Sequence, residues 1–184
     1  MVSETARKLL EKEEKLKKTT DENGWSPLHY AAYYFGSPLI VEVLLECDAS
    51  AAYIAETEKK RTALHIAAIR GHVDVMKEIV SRSPVCCELV DNRGWNALHY
   101  AVASKDIEAF EQCLEIPEIA RLGTKKDDKG NTPFHLIAAL ALKDQNWKPV
   151  LLHREGIYGL NKRKLSTMDI YEGNFAEIQV INPL

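Results

Sequence analysis

The sequence predicts an all-α solenoid: helix–turn–helix units stacked in a row and joined by short hairpin turns. Three observations carry this. The first is a motif written four times, as Ser26-Pro27-Leu28-His29-Tyr30-Ala31-Ala32, Thr62-Ala63-Leu64-His65-Ile66-Ala67-Ala68, Asn96-Ala97-Leu98-His99-Tyr100-Ala101-Val102 and Thr132-Pro133-Phe134-His135-Leu136-Ile137-Ala138. The histidines step by 36, 34 and 36 residues, and Asp169, a further 34 on, holds the same slot in a weaker fifth copy, Lys164-Leu165-Ser166-Thr167-Met168-Asp169-Ile170. A fixed period of this size marks repeats that each bury an apolar face on the next. The second observation is a turn before the motif, Asp21-Glu22-Asn23-Gly24, Asp91-Asn92-Arg93-Gly94 and Asp127-Asp128-Lys129-Gly130. Asp and Asn bond locally to backbone, and Gly accepts positive φ. The third is a second apolar cluster at helical spacing behind the first three motifs.

Taken in order, residues 1–20 predict a helix, with Ala6, Leu9, Leu10 and Leu16 forming a thin apolar stripe among alternating charges. This is the second helix of a unit without its first half. It is either a polar end cap or the point where the chain starts inside a longer array. After each turn a helix begins: Ser26, Thr62, Asn96 and Thr132 supply N-cap oxygens. Pro27 and Pro133 fit the first helical position, where no N–H is needed. The pairs Ala31-Ala32 and Ala67-Ala68 allow close helix approach, and a short loop follows, clearest at Gly71-His72. The second helices bury Ile40, Val41, Val43, Leu44 and Leu45; Val75, Met76, Ile79 and Val80; and Ile107, Ala109, Phe110, Cys113 and Leu114.

Two turns, Thr57-Glu58-Lys59-Lys60 and Asn161-Lys162-Arg163-Lys164, lack the glycine and are expected to be strained or differently shaped. The fourth unit departs from the pattern, with a first helix running through Leu142 and an extra loop, Asp144-Gln145-Asn146-Trp147. Pro149 is expected to break or kink its second helix. The resulting division is a partial unit over 1–20, units over 21–56, 57–90, 91–126 and 127–160, and a degenerate unit with tail over 161–184.

Thr-Pro-Leu-His-x-Ala is the ankyrin signature, so the chain resembles the ankyrin-repeat family over nearly its whole length. The resemblance implies that the motif histidines tie the cap side chain and the adjacent turn together. Asn96 replaces the hydroxyl in the third copy, so its bonding must differ. His72 also fills a family position, whereas His153 has no motif context. A narrower resemblance rests on the stretches Asn23 to Ala32 and Asp91 to Ala101, with Gly130-Asn131-Thr132-Pro133 and Leu160-Asn161-Lys162. These are similar to plant ankyrin proteins of the accelerated-cell-death type. That implies cytoplasmic defence or stress signalling, with membrane association through helices absent from this chain. The alternative is a free cytosolic adaptor or competitive inhibitor of the same partner.

Composition excludes several classes. The chain of 184 residues carries a net charge of −3, with no basic stripe of the kind nucleic acid requires. Charged residues interrupt the N-terminus, unlike a signal peptide, and no run reaches the roughly 18 apolar residues of a membrane span. Cys47, Cys86, Cys87 and Cys113 show no Cys-x-x-Cys spacing and read as free thiols in a reducing compartment. Equivalent histidines of stacked helices stand about 8–10 Å apart, whereas zinc needs each ligand at about 2.0–2.1 Å. A structural role, with no metal and no cofactor, follows. No Gly-x-Ser-x-Gly, phosphate-cradling loop or His-Glu-x-x-His is present, so no enzyme and no small-molecule substrate are expected. Cys86 and Cys87, placed in a loop near Arg82 and nearer Glu88, carry only a weak case for reactivity.

The positions free of cap and core duties are the informative ones. The slot after each turn glycine reads Trp25, Arg61, Trp95, Asn131 and Leu165, and the ends of the first helices include Tyr33-Tyr34 and Ile69-Arg70. Trp and Arg are enriched at binding hot spots. The family resemblance implies that Trp25, Tyr33, Tyr34, Arg61, Ile69, Arg70, Arg93 and Trp95 share one concave surface that binds a protein partner. Each tryptophan could equally pack on the adjacent hairpin.

Overall fold

The structure, a computed structural model, describes residues 19–152 and 159–173. Most of the helix expected over 1–20, His153 and the tail beyond Gly173 lie outside the described residues.

Helix α1 (Pro27–Tyr30) starts with Pro27 behind the Ser26 cap and widens into a π-helical turn over Ala31–Phe35. Gly36, at φ 55°, ends it, and α2 (Pro38–Cys47) returns, followed by a 3₁₀ turn (Ala49–Tyr53). The next pair is α3 (Ala63–Arg70) and α4 (Val73–Arg82), reversed at Gly71, with a 3₁₀ turn at Pro84–Glu88. Then come α5 (Ala97–Ala103), α6 (Ile107–Cys113), the short α7 (Pro117–Ala120) and a 3₁₀ turn (Arg121–Thr124). The pair α8 (Pro133–Ala141) and α9 (Lys148–Leu152) is joined through a 3₁₀ turn at Gln145–Trp147, and α10 (Thr167–Tyr171) is the last helix among the described residues.

The helices form two rows. In the inner row the α1 segment packs on α3, α3 on α5, α5 on α8 and α8 on α10; in the outer row α2 packs on α4 and α4 on α6. Alanines make the inner row close: Ala32, Ala67, Ala68, Ala101 and Ala138 are all buried. Larger side chains fill the space between rows, among them Leu28, Leu64, Met76, Ile79, Leu98 and Phe110. Arg82 stitches the outer row by reaching back to Glu42 at 3.0 Å and Glu46 at 3.6 Å while pairing with Glu78 on its own helix. His72 does the same between units, its Nδ1 donating to the Ala32 carbonyl at 2.9 Å. The core is thus a seam along the stack rather than a central ball.

Three expectations change. Pro149 breaks nothing, because α9 begins at Lys148 and the proline lies in its first turn, where the missing N–H has no partner to lose. The extra loop before it is a 3₁₀ turn that drives Trp147 into the core, 1% exposed and edge-on to Phe110 at 5.8 Å. The Cys86–Cys87 loop is a 3₁₀ turn with both side chains buried. Of the glycine-free turns, the one at Lys164 keeps the shape of its glycine counterparts. Its N–H bonds Asn161 O at 2.9 Å, as Gly24 bonds Asp21 O at 2.9 Å, and the lysine itself takes φ 61°. The turn at Lys60 does differ: its closing bond runs from Glu56 N–H to Arg61 O, one residue longer than Asp21 to Trp25.

Candidate functional site

The hairpin tips are built the same way each time. Asp21 Oδ1 accepts the N–H groups of Asn23 and Trp25 at 2.9 and 2.8 Å; Asp91 holds Arg93 and Trp95, both at 2.8 Å; Asp127 holds Lys129 and Asn131 at 2.9 and 2.7 Å. Asn161 repeats this with its amide oxygen on Arg163 and Leu165. In the second hairpin Thr57 has no carboxylate, and Glu56, one residue earlier and one methylene longer, takes over. It accepts from Glu58, Lys59 and Arg61 N–H groups at 2.8, 2.7 and 3.3 Å. Burial raises the Glu56 carboxyl, but these donors and Arg61 outweigh it and hold its pKa below the ordinary value. The tips then ladder together, one backbone bond per step: Thr57 N–H to Asn23 O, Asn92 to Lys59, Asp128 to Arg93 and Lys162 to Lys129, at 2.9 to 3.0 Å.

Behind each tip stands its histidine. In the first, second and fourth copies Nδ1 lies 2.8 to 2.9 Å from the cap hydroxyl of Ser26, Thr62 or Thr132 and accepts that residue's backbone N–H at 3.0 to 3.2 Å. The third copy keeps the bond from Asn96 N–H to His99 Nδ1, at 3.3 Å, and differs in the cap group: Asn96 Oδ1 accepts the N–H groups of Leu98 and His99 at 3.0 and 3.1 Å. Across the step, Nε2 of His29, His99 and His135 meets the carbonyls of Arg61, Asn131 and Leu165 at 3.1, 3.1 and 3.2 Å. Asp169 keeps half of this role, taking the Ser166 N–H and hydroxyl at 2.8 and 2.6 Å. Burial is the main cause that lowers all four imidazole pKa values, to about 4 for His65 and about 4 for His99. All four are neutral; His29, His99 and His135 strut one unit to the next, whereas His65 Nε2 is buried without a hydrogen-bond partner among the described residues. Among the described residues no group of three or more His, Cys, Asp and Glu gathers around a possible metal position. Burial pushes the Cys113 thiol up to about 12, and the neighbouring Cys87 together with burial pushes Cys86 up, the opposite of an activated nucleophile.

The residues singled out from sequence divide into two places. Trp25, Tyr33, Tyr34, Arg61 and Ile69 line one open hollow of about 410 Å³ at the first hairpin, together with Asp21, Asn23, Tyr30 and Ile66. Arg70 adjoins it, its guanidinium 4.8 Å from the centre of the Tyr33 ring. Tyr34 is 66% exposed, whereas Arg61 and Ile69 are each 8% exposed and form the floor. Arg61 is paired with Glu56 at 3.3 Å. Arg93 and Trp95 belong to the third hairpin instead. Trp95 is 5% exposed, its indole N–H donating to Asp127 Oδ2 at 3.2 Å, with the Arg93 guanidinium over its ring at 4.1 Å. Asp21, Glu56 and Tyr30 were not singled out. The recurrence of Asp-x-x-Gly-Trp-x-x-x-x-Tyr at 21–30 and 91–100 was the available signal for the aspartate and tyrosine. Phe35 and Leu39, 61% and 58% exposed, extend the apolar surface near the first unit.

Known proteins agree with this architecture. Residues 50–120 match the family described as ankyrin repeats (3 copies), and residues 23–54 match the single ankyrin repeat, together more than half of the 184 residues. The chain is 30% identical over 121 residues to the target of rapamycin complex 2 subunit AVO2 of Saccharomyces cerevisiae, a match covering 62% of this chain and 26% of that protein. It is 27% identical over 169 residues to the human ankyrin repeat and SOCS box protein 3, covering 72% of this chain and 31% of the relative. With the mouse ankyrin and armadillo repeat-containing protein it shares 29% identity over 108 residues, covering 54% and 7%. The matches span less than a third of the length of each of these relatives. Repeated motif, paired helices, laddered tips and family match converge: the chain belongs to the ankyrin-repeat family, whose repeats are protein-interaction modules.

Proposed function

We propose that this array recognises a protein partner on the concave face formed by its hairpin tips and inner-helix ends, with the first hairpin as the anchor. The observation that carries the reading is the hollow of about 410 Å³ walled by Trp25, Tyr33 and Tyr34. Aromatic side chains half in water and half packed are the usual anchors of protein interfaces. The likeness of residues 23–32 and 91–101 to plant accelerated-cell-death-type ankyrin proteins supports a role in defence or stress signalling, in the cytosol or on the cytosolic side of a membrane. Recognition rather than turnover fits the site: Asp21 through Oδ1 and Glu56 through both oxygens are spent on holding the hairpin backbones. The test is affinity capture from soluble and membrane fractions of plant cells, identified by mass spectrometry. Wild type is set beside Tyr34→Ala/Arg70→Ala, a variant at two exposed residues, with circular dichroism as the check that it stays folded. A partner captured by wild type and lost with the variant supports the reading. Capture indifferent to the variant places the interface elsewhere.

A further inference from the structure

The first and third hairpins carry the same four residues at the same spacing, Asp21, Gly24, Trp25 and Tyr30 against Asp91, Gly94, Trp95 and Tyr100. Their geometry matches as well. The second carboxylate oxygen accepts the tyrosine hydroxyl, from Tyr30 at 2.5 Å and from Tyr100 at 2.8 Å. The Trp and Tyr ring centres stand 5.2 and 5.5 Å apart. The difference lies one residue before the glycine. In the third hairpin Arg93 folds back so that its guanidinium covers the Trp95 ring at 4.1 Å. Its Nε donates to Asp91 Oδ2 at 3.0 Å and its Nη2 donates to the Tyr100 oxygen at 3.0 Å. In the first hairpin that position is Asn23, too short to reach, and the hollow opens beside Trp25, Tyr30 and Asp21.

The molecule therefore contains its own worked example of a bound guanidinium and, two hairpins away, the same Asp, Trp and Tyr arrangement without one among the described residues, with the Tyr33 ring edge-on to Trp25 at 5.6 Å where the third unit has Ala103. A planar cation gains from an indole face, and a carboxylate and a phenol oxygen at its edge match its N–H groups. Asp91 Oδ2 accepts both Tyr100 and Arg93, so Asp21 Oδ2, which accepts Tyr30, retains the lone pair that a second donor needs. Among the described residues, the cations that line or adjoin the hollow have partners: Arg61 pairs with Glu56 and Arg70 rests on Tyr33. Glu22, exposed beside Asp21, adds negative charge to the rim.

We propose that the first hairpin binds an arginine side chain of the protein partner, stacked on Trp25 and hydrogen-bonded to Asp21 and Tyr30 as Arg93 is to its own hairpin. As a statement about the partner, this rests on the interaction reading above; as a statement about the cradle, it stands by itself. The experiment has two arms. In the first, the full chain is titrated with N-acetyl-arginine amide and followed by NMR, beside N-acetyl-lysine amide and the uncharged isostere N-acetyl-citrulline amide. Saturable shifts are expected at the Trp25 indole N–H and the amides of 21–34, with citrulline weaker by at least about tenfold and lysine between the two. Asn23→Arg, which copies the third hairpin, should abolish the shifts by filling the cradle from within. Arg93→Asn should create a second responding site at Trp95. No saturable shift at the first hairpin, equal shifts with citrulline, or an unchanged titration of Asn23→Arg would overturn the proposal. In the second arm, partner capture is repeated with Asn23→Arg. A partner lost with Tyr34→Ala/Arg70→Ala yet retained with Asn23→Arg overturns the arginine assignment and leaves the interaction reading intact. Loss with both supports it.

Discussion

Trp25 and Trp95 follow the same glycine in the same turn, yet one is half-buried at the wall of a hollow and the other is 5% exposed. Within the two turns Glu22 stands against Asn92 and Asn23 against Arg93, and of these Arg93 lies over the indole, at 4.1 Å from the Trp95 ring centre. The rest comes from the neighbouring unit. Behind Trp95 the next hairpin offers Asp127, which takes the indole N–H at 3.2 Å; behind Trp25 the equivalent residue is Thr57, which spends its hydroxyl on Asn23 O at 2.8 Å. At the end of the inner helix the third copy has the small pair Ala103-Ser104 where the first has Tyr33-Tyr34. In a stack, then, a side chain's burial is set as much by the following copy as by its own. The same motif becomes structure in one place and surface in another.

The largest expected effect is acid sensitivity concentrated at the closed third hairpin, because His65 stands edge-on to Tyr100 at 5.3 Å and His99 stacks on Trp95 at 5.8 Å. Both pKa values are lowered to about 4, mainly by burial, from the ordinary 6.5. Between those limits the unfolded chain binds more protons than the folded one. Stability should therefore fall as pH drops from about 6.5 to about 4, by something on the order of 3 kcal/mol for each ring. Urea midpoints measured at pH 7 and 4.5 check this; equal midpoints would mean that the two imidazoles are not desolvated as described. Next in size is a tyrosine pair. Tyr100→Ala removes a fully buried ring and should lose about 3–5 kcal/mol, whereas Tyr30→Ala, at a ring 39% exposed, should lose about 1 kcal/mol. Chemical denaturation that finds the two equal would end the distinction between closed and open hairpins.

Backbone conformation gives the third contrast. At Gly130, φ is +80° and an added Cβ would meet Lys162 N at 2.6 Å, so Gly130→Ala should lose about 1–3 kcal/mol. Lys164 takes φ 61° in the same kind of turn, and Lys164→Gly should gain up to about 1 kcal/mol. A melt in which Lys164→Gly destabilises would show that its side chain, not its backbone, matters there. The smallest pair concerns the indoles. Trp95→Phe removes the indole N–H that Asp127 Oδ2 accepts and should lose about 1–2 kcal/mol, while Trp25→Phe should change stability by no more than about 0.5 kcal/mol.

Much of this protein was legible as text. The 34- and 36-residue steps gave the stack, Ser26, Thr62, Asn96 and Thr132 gave the helix starts, and the recurring Asp-x-x-Gly marked the hairpins. Glu56 was missed because it stands one residue out of register in a hairpin one residue longer, so alignment on Thr57 points past it. Pro149 misled because a proline's effect depends on where a helix begins, and that is fixed here by Trp147 entering the core beside Phe110. The grouping of eight site residues on one surface became five lining one hollow, with Arg70 beside it and Arg93 and Trp95 in a second constellation two hairpins on.

The sequence by itself determined the period, the helix starts and the places of the hairpins, because each depends on residues within a few positions of one another or on a spacing that repeats. Only the tertiary structure decided which tryptophan is covered, which carboxylate holds the second hairpin and where a lysine must adopt a left-handed backbone. Those outcomes depend on contacts made some thirty residues further along the chain, such as Trp95 to Asp127, His29 to Arg61 and Lys162 to Lys129. Such contacts exist only once one unit has settled on the next.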